Sequence, residues 1–95
     1  MLEQNIAKLS REKIAYPNLP LAIYREIAAH LGQVPNIQTQ LIPQMSDRFD
    51  YAQSQIDHLE ISYPDFLKDS DRQHLEDILA FYGDRYGTPE RRIVE

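Results

Sequence analysis

Residues Phe49 to Pro64, FDYAQSQIDHLEISYP, decide how this chain folds. From His58 to Tyr63 polar and apolar residues alternate, with Leu59, Ile61 and Tyr63 on one side and His58, Glu60 and Ser62 on the other. That is the pattern of a strand buried on one face. Counting back from Leu59 on the same parity gives Asp57, Gln55, Gln53, Tyr51 and Phe49. The apolar face would therefore run into hydrogen-bonding side chains and then into two aromatics, more chemistry than a plain core strand requires.

A strand at 56–63 needs a partner. Ile37-Gln-Thr-Gln-Leu-Ile42 places Ile37, Thr39 and Leu41 on one face and Gln38 and Gln40 on the other. This predicts a second strand at about 36–43. A helix over 36–46 competes for the same residues, but the β-branched side chains and the bounding Pro35 and Pro43 favour the strand. With so short a connection the two strands pair most simply as an antiparallel hairpin.

Helical periodicity appears on either side. Leu21, Tyr24, Ile27, Ala28 and Leu31 form one stripe, with Asn18 as N-cap, Pro20 in the first turn and Gly32 at the end, predicting a helix over about 19–32. Ser70-Asp71-Arg72-Gln73 matches an S-x-x-Q capping box, and Leu75, Ile78, Leu79, Tyr82 and Tyr86 follow at helical spacing up to Gly87-Thr88-Pro89. A second helix is expected over about 71–86. Leu2, Ile6, Ala7, Leu9 and Ile14 suggest an extra amphipathic helix over about 2–14, broken by the prolines at 17 and 20. Gly83, inside the second helix, calls for a frayed last turn or a closely packed backbone.

The expected fold is α+β: one domain over 1–95, an antiparallel hairpin packed by helices, an N-terminal helical segment over 1–15 and a flexible exposed tail over 88–95. At 95 residues such a domain buries a real but small core. A lone hairpin leaves exposed edges, so helices must cover it or a second chain extend it, and a homodimer through a strand edge follows as an expectation.

Composition narrows the function classes. The chain is 42% hydrophobic and 26% charged, ordinary for a globular protein, with a formal net charge of −5. Residues 17–84 hold four basic and eleven acidic groups, whereas 1–16 and 85–95 each hold three basic and two acidic. An acidic body disfavours nucleic acid and anionic membranes as partners. No apolar run nears the roughly 18 residues that span a bilayer, and MLEQNIAKLSREK lacks the apolar stretch of a signal peptide, so a soluble cytoplasmic protein is expected. The absence of cysteine removes disulfides, thiolate metal sites and thiol nucleophiles.

Motifs for chemistry are sparse. Three glycines occur in no phosphate-cradling arrangement, and nucleophile elbows and H-E-x-x-H helices are missing. His58 with Glu60, Glu26 with His30, and His74 with Asp77 are each spaced for a shared ion, but two ligands are fewer than a metal site needs. Asp69-Ser-Asp71 has His74 where a calcium loop needs glycine and Ala80 where it needs glutamate. No cofactor, metal ligand or catalytic residue is therefore expected. The candidate contact residues are Asp50, Tyr51, Gln53, Gln55 and His58, a carboxylate, a phenol, two amides and an imidazole suited to orienting a polar ligand or a peptide.

Two blocks, YPNLPLAIYREIAAHLGQV over 16–34 and FDYAQSQIDHLEISYP over 49–64, give the chain a resemblance to small uncharacterised conserved proteins of cyanobacteria. The resemblance implies a soluble cytoplasmic domain and carries over no catalytic residue. Taken together, these features lead to the expectation of a small noncatalytic protein that works by protein–protein interaction. Leu2, Ile6 and Leu9 would dock on a partner or, as single domains usually arrange, on their own core. A small-molecule binder or enzyme using a polar recess around Asp50, Tyr51, Gln53 and Gln55 is the alternative.

Overall fold

The computed structural model describes residues 9–44 and 56–94. Its elements follow in the order β1 (Leu9–Ala15), α1 (Leu21–Leu31), β2 (Gln38–Pro43), β3 (Ile56–Pro64), α2 (Asp69–Tyr86) and β4 (Glu90–Val94). The four strands form one sheet in the order β2-β3-β1-β4, and every adjacent pair is antiparallel. β3 thus inserts between β1 and β2, the two strands joined through α1. This is the split β-α-β-β-α-β, or ferredoxin-like, arrangement.

The hairpin expected from the alternation is present as β2 and β3, with Thr39 opposite Ile61 and Leu41 opposite Leu59. Leu59, Ile61 and Tyr63 are buried on the helix side of the sheet. Tyr24, Ile27 and Leu31 of α1 and Leu75, Ile78, Leu79 and Tyr82 of α2 join them in a single core. The helical stripes read from the sequence therefore face where their periodicity places them. Their caps differ: Asn18 takes a left-handed turn conformation (φ 51°) and α1 begins after Pro20, whose carbonyl accepts from Ile23 and Tyr24. α2 begins after Lys68 with no side-chain cap; Gln73 donates to Asp77 instead, and Asp69 and Asp71 complement the helix dipole.

Two expectations are corrected. The N-terminal helix over 2–14 does not hold for residues 9–14, which lie in strand β1; residues 1–8, with Leu2 and Ile6, lie outside the described residues. Leu9 is 61% exposed on the side away from the helices, so it is not docked on its own core. The alternation in β1 is disguised because one of its inward positions is charged. Glu12 and Ile14 are buried while Leu9, Arg11 and Lys13 are exposed. An acidic residue on the buried face erased the period-two signal.

The tail over 88–95 is the second correction. Glu90–Val94 pairs with β1 along its length, from Ala15 opposite Glu90 to Arg11 opposite Val94. Main-chain pairing anchors it without apolar burial, and Ile93 remains exposed. Arg91 adds side-chain bonds. Its Nε donates to Glu12 Oε2 at 2.7 Å and its Nη1 to Glu76 Oε1 at 2.6 Å, while Nη2 donates to the second oxygen of each carboxylate. One guanidinium therefore joins β4, β1 and α2 through paired, charge-assisted bonds.

The turns bring the ends of the elements together. Tyr24 Oη accepts from the Tyr16 amide at 3.0 Å, and Tyr16 Oη donates to the Leu79 carbonyl at 3.0 Å, linking the β1–α1 turn to both helices. At Gly83 an added Cβ would stand 3.6 Å from Pro89 Cδ, an ordinary van der Waals distance, so the helix continues through this glycine without a close approach that requires it. Gly87 ends α2 at φ +104°, and a Cβ there would stand 3.0 Å from Pro17 Cγ.

Two measurements test this framework. Gly87→Ala is expected to cost about 1–3 kcal/mol in urea unfolding, because an L side chain disfavours that backbone region and meets Pro17. Arg91→Met, which leaves Glu12 buried and unpaired, is expected to cost about 3 kcal/mol, whereas Arg91→Met combined with Glu12→Leu recovers most of the loss.

Candidate functional site

A half-covered sheet has two unlike faces. The helices take one face of this sheet, and the other carries the alternate residues of every strand. In register across it lie Gln40 of β2, Glu60 of β3, Lys13 of β1 and Arg92 of β4, with Gln38, Ser62, Arg11 and Val94 in the next row. Most are polar because alternation leaves them facing water.

At the end of this face nearest the start of β3 the pairing changes. Ile42 pairs with His58 but Pro43 pairs with Ile56, so Asp57 has no partner on β2. This is a β-bulge, and it resolves a parity conflict. Leu59, Ile61 and Tyr63 face the core on odd positions, yet the next core residue is Ile56. The extra residue turns the Asp57 side chain out of the core, where strict alternation would bury it. Asp57 Oδ2 then accepts from His58 Nδ1 at 2.6 Å. Bulges commonly re-aim a side chain in this way.

The reoriented pair borders a groove of about 480 Å³ whose other lining includes Lys13, Ala15, Glu90 and Arg92. Ala15 is the one apolar side chain in that set. The His58 side chain is 11% exposed and that of Asp57 62%, so the imidazole is held at the wall of the groove by a carboxylate open to water. The Asp57 bond makes Nδ1 the donor, and Nε2 is then the ring's remaining polar atom. A carboxylate–imidazole pair supplies two of the three members of a nucleophilic triad, but this lining contains no serine, threonine, cysteine or tyrosine. The arrangement can bind and orient a polar group.

Across the bulge a smaller hollow of about 180 Å³ is bordered by Tyr16, Asn18, Tyr24, Gln44 and Asp57. Burial raises the phenols of Tyr16 and Tyr24 above their ordinary value, so both stay protonated and act through the main-chain bonds already described. On the helix side, Tyr82 Oη donates to Glu26 Oε2 at 3.2 Å and lies 3.1 Å from His30 Nδ1. With its one hydrogen given to Glu26, the phenol accepts from Nδ1–H. Glu26 and His30, spaced for a shared ion, are instead used to seat α1 against α2. Among the described residues no three His, Asp or Glu side chains converge on a metal position.

Of the contact residues expected from the sequence, His58 lies at the groove; Asp50, Tyr51, Gln53 and Gln55 lie outside the described residues. Lys13, Asp57 and Arg92 were missed. Lys13 and Arg92 stand 79 positions apart and meet only through strand pairing, and Asp57 was assigned to the buried side by an alternation that the bulge interrupts. No described helix is long and apolar enough to cross a membrane. Compared with known protein families and with curated proteins, the chain matches none.

The Arg91 clamp sets the acid response of the frame behind the site. Hydrogen bonding to Arg91 holds the Glu76 carboxyl below its ordinary value of 4.5. A depressed carboxylate contributes stability that is complete above the unfolded value and lost as pH falls through the folded one. Stability measured from pH 7 downward is therefore expected to hold to about 4.5 and decline below it, and Glu76→Gln to flatten that decline.

Proposed function

We propose that this protein acts by binding another protein chain, without catalysis, and that the contact is made by extending the sheet at β2. The observation that carries this reading is the uncharged stretch from Leu31 to Gln44 in a chain of which 26% is charged. It contains the whole of the edge strand Gln38–Pro43, whose outer side pairs with no other strand among the described residues. Edges are ordinarily blunted with charge, above all lysine. The opposite edge follows that rule, since β4, ERRIV, carries three charged residues in five.

A second copy is the occupant that β2 suits best. A twofold axis at Gln40 sets Gln40 against itself, Thr39 against Leu41 and Gln38 against Ile42, with no like charges facing one another. Thr39, Leu41 and Ile42 are half-buried, so pairing would cover apolar surface as well as satisfy backbone groups. The acidic body adds only weak long-range repulsion at physiological salt.

Light scattering over the micromolar range is expected to give a dimer mass for the native chain. Gln40→Lys, which would set two lysines opposite each other on the exposed face, is expected to give a monomer with a melting temperature at dilute concentration close to that of the parent. A native chain that stays monomeric throughout removes the self-pairing reading.

A further inference from the structure

The helix-free face presents a charge arrangement that folding does not account for. Lys13 and Arg92 stand directly opposite one another across β1 and β4, and Arg11 follows on the same side of β1. Cross-strand neighbours approach to about 5 Å between Cβ atoms, and like charges so placed destabilise the pair. This protein has 15 acidic residues available for neutralisation against 10 basic ones. Yet the ion pairs among the described residues are His58 with Asp57, and Arg91 with Glu12 and Glu76, so Arg11, Lys13 and Arg92 have none. Glu60, opposite Lys13, and Glu90, beside Arg92, share this face without closing an ion pair to either cation.

We infer that the groove between Lys13 and Arg92 binds a phosphate-type oxyanion, with the two cations as its donors and the His58 ring forming part of its wall. An oxyanion between the two cations turns their repulsion into two charge-assisted contacts. The rigid part of the site is already built. Arg91 clamps β4 to β1 one residue from Arg92, and the bulge and the Asp57 bond fix the imidazole. The groove, at about 480 Å³, is larger than one ion needs and falls within the range of small-molecule sites, so the phosphate of a small organic monoester suits it better than the free ion. Its polar lining agrees with a hydrophilic body on that ligand. This site is separate from the β2 edge and stands or falls independently of it.

The test is titration of the full-length ¹⁵N-labelled chain with glycerol phosphate and, separately, inorganic phosphate, at ionic strength held constant with chloride. Saturable shifts are expected at Lys13, His58, Arg92 and their neighbours, with glycerol phosphate the tighter ligand; equal affinities would assign the site to free phosphate. Lys13→Gln and Arg92→Gln, both at exposed positions, are expected to weaken binding by about tenfold or more each. Glu90→Gln removes a competing carboxylate and is expected to tighten it. Arg25→Gln on α1 serves as the control and leaves the affinity unchanged. Urea unfolding of each variant confirms that its fold is retained. Shifts that grow linearly without saturation, that spread equally to Arg25 and Lys68, or that persist in both glutamine variants overturn the proposal.

Discussion

A carboxylate on the buried side of a central strand must be paired or it unfolds the sheet around it, and this fold is organised around that requirement. Glu12, 5% exposed, lies on the helix side of β1 beside Ile14. Desolvating an isolated carboxylate would cost several kcal/mol. Arg91 meets it with two hydrogen bonds and turns its remaining donors to Glu76 on α2. Because Arg91 belongs to β4, the last strand is held in register opposite Ile14, and α2 is held over the sheet through Glu76. A residue that looks unfavourable in β1 is what makes a short, mostly exposed C-terminal strand part of the domain.

The same register sets the character of the open face. With Arg91 turned inward, Arg92 must turn outward, where it stands opposite Lys13. The cation pair proposed to hold a phosphate is thus a geometric consequence of the inward clamp. The bulge at Asp57 acts at the other end of the groove. It lets Ile56 enter the core and sends a carboxylate outward to hold His58, so packing and site geometry are served by one inserted residue.

The two edges of the sheet differ in chemistry, and their difference carries the functional reading. β4 presents charged side chains that discourage another strand, while β2 presents none. β2 also packs against α1 on its inner side. An antiparallel partner could therefore continue the sheet and extend the core on the same side.

Local pattern fixed the parts of this protein in which one residue type dominates one period. The core stripes of both helices, the buried trio Leu59, Ile61 and Tyr63, and the antiparallel pairing of 38–43 with 56–64 can each be read from spacing, because burial on one face is a repeating demand that sequence must answer locally. Tertiary structure decided what depends on contacts distant in sequence. β1 was hidden since Glu12 is tolerable at an inward position only when Arg91, 79 residues later, pairs with it; β4 was hidden since its main-chain pairing needs no apolar signature. The candidate groove was legible only through His58. Lys13 and Arg92 become neighbours through register, and Asp57 reaches His58 through a bulge, and neither a register nor a bulge is written in the alternation of a single strand.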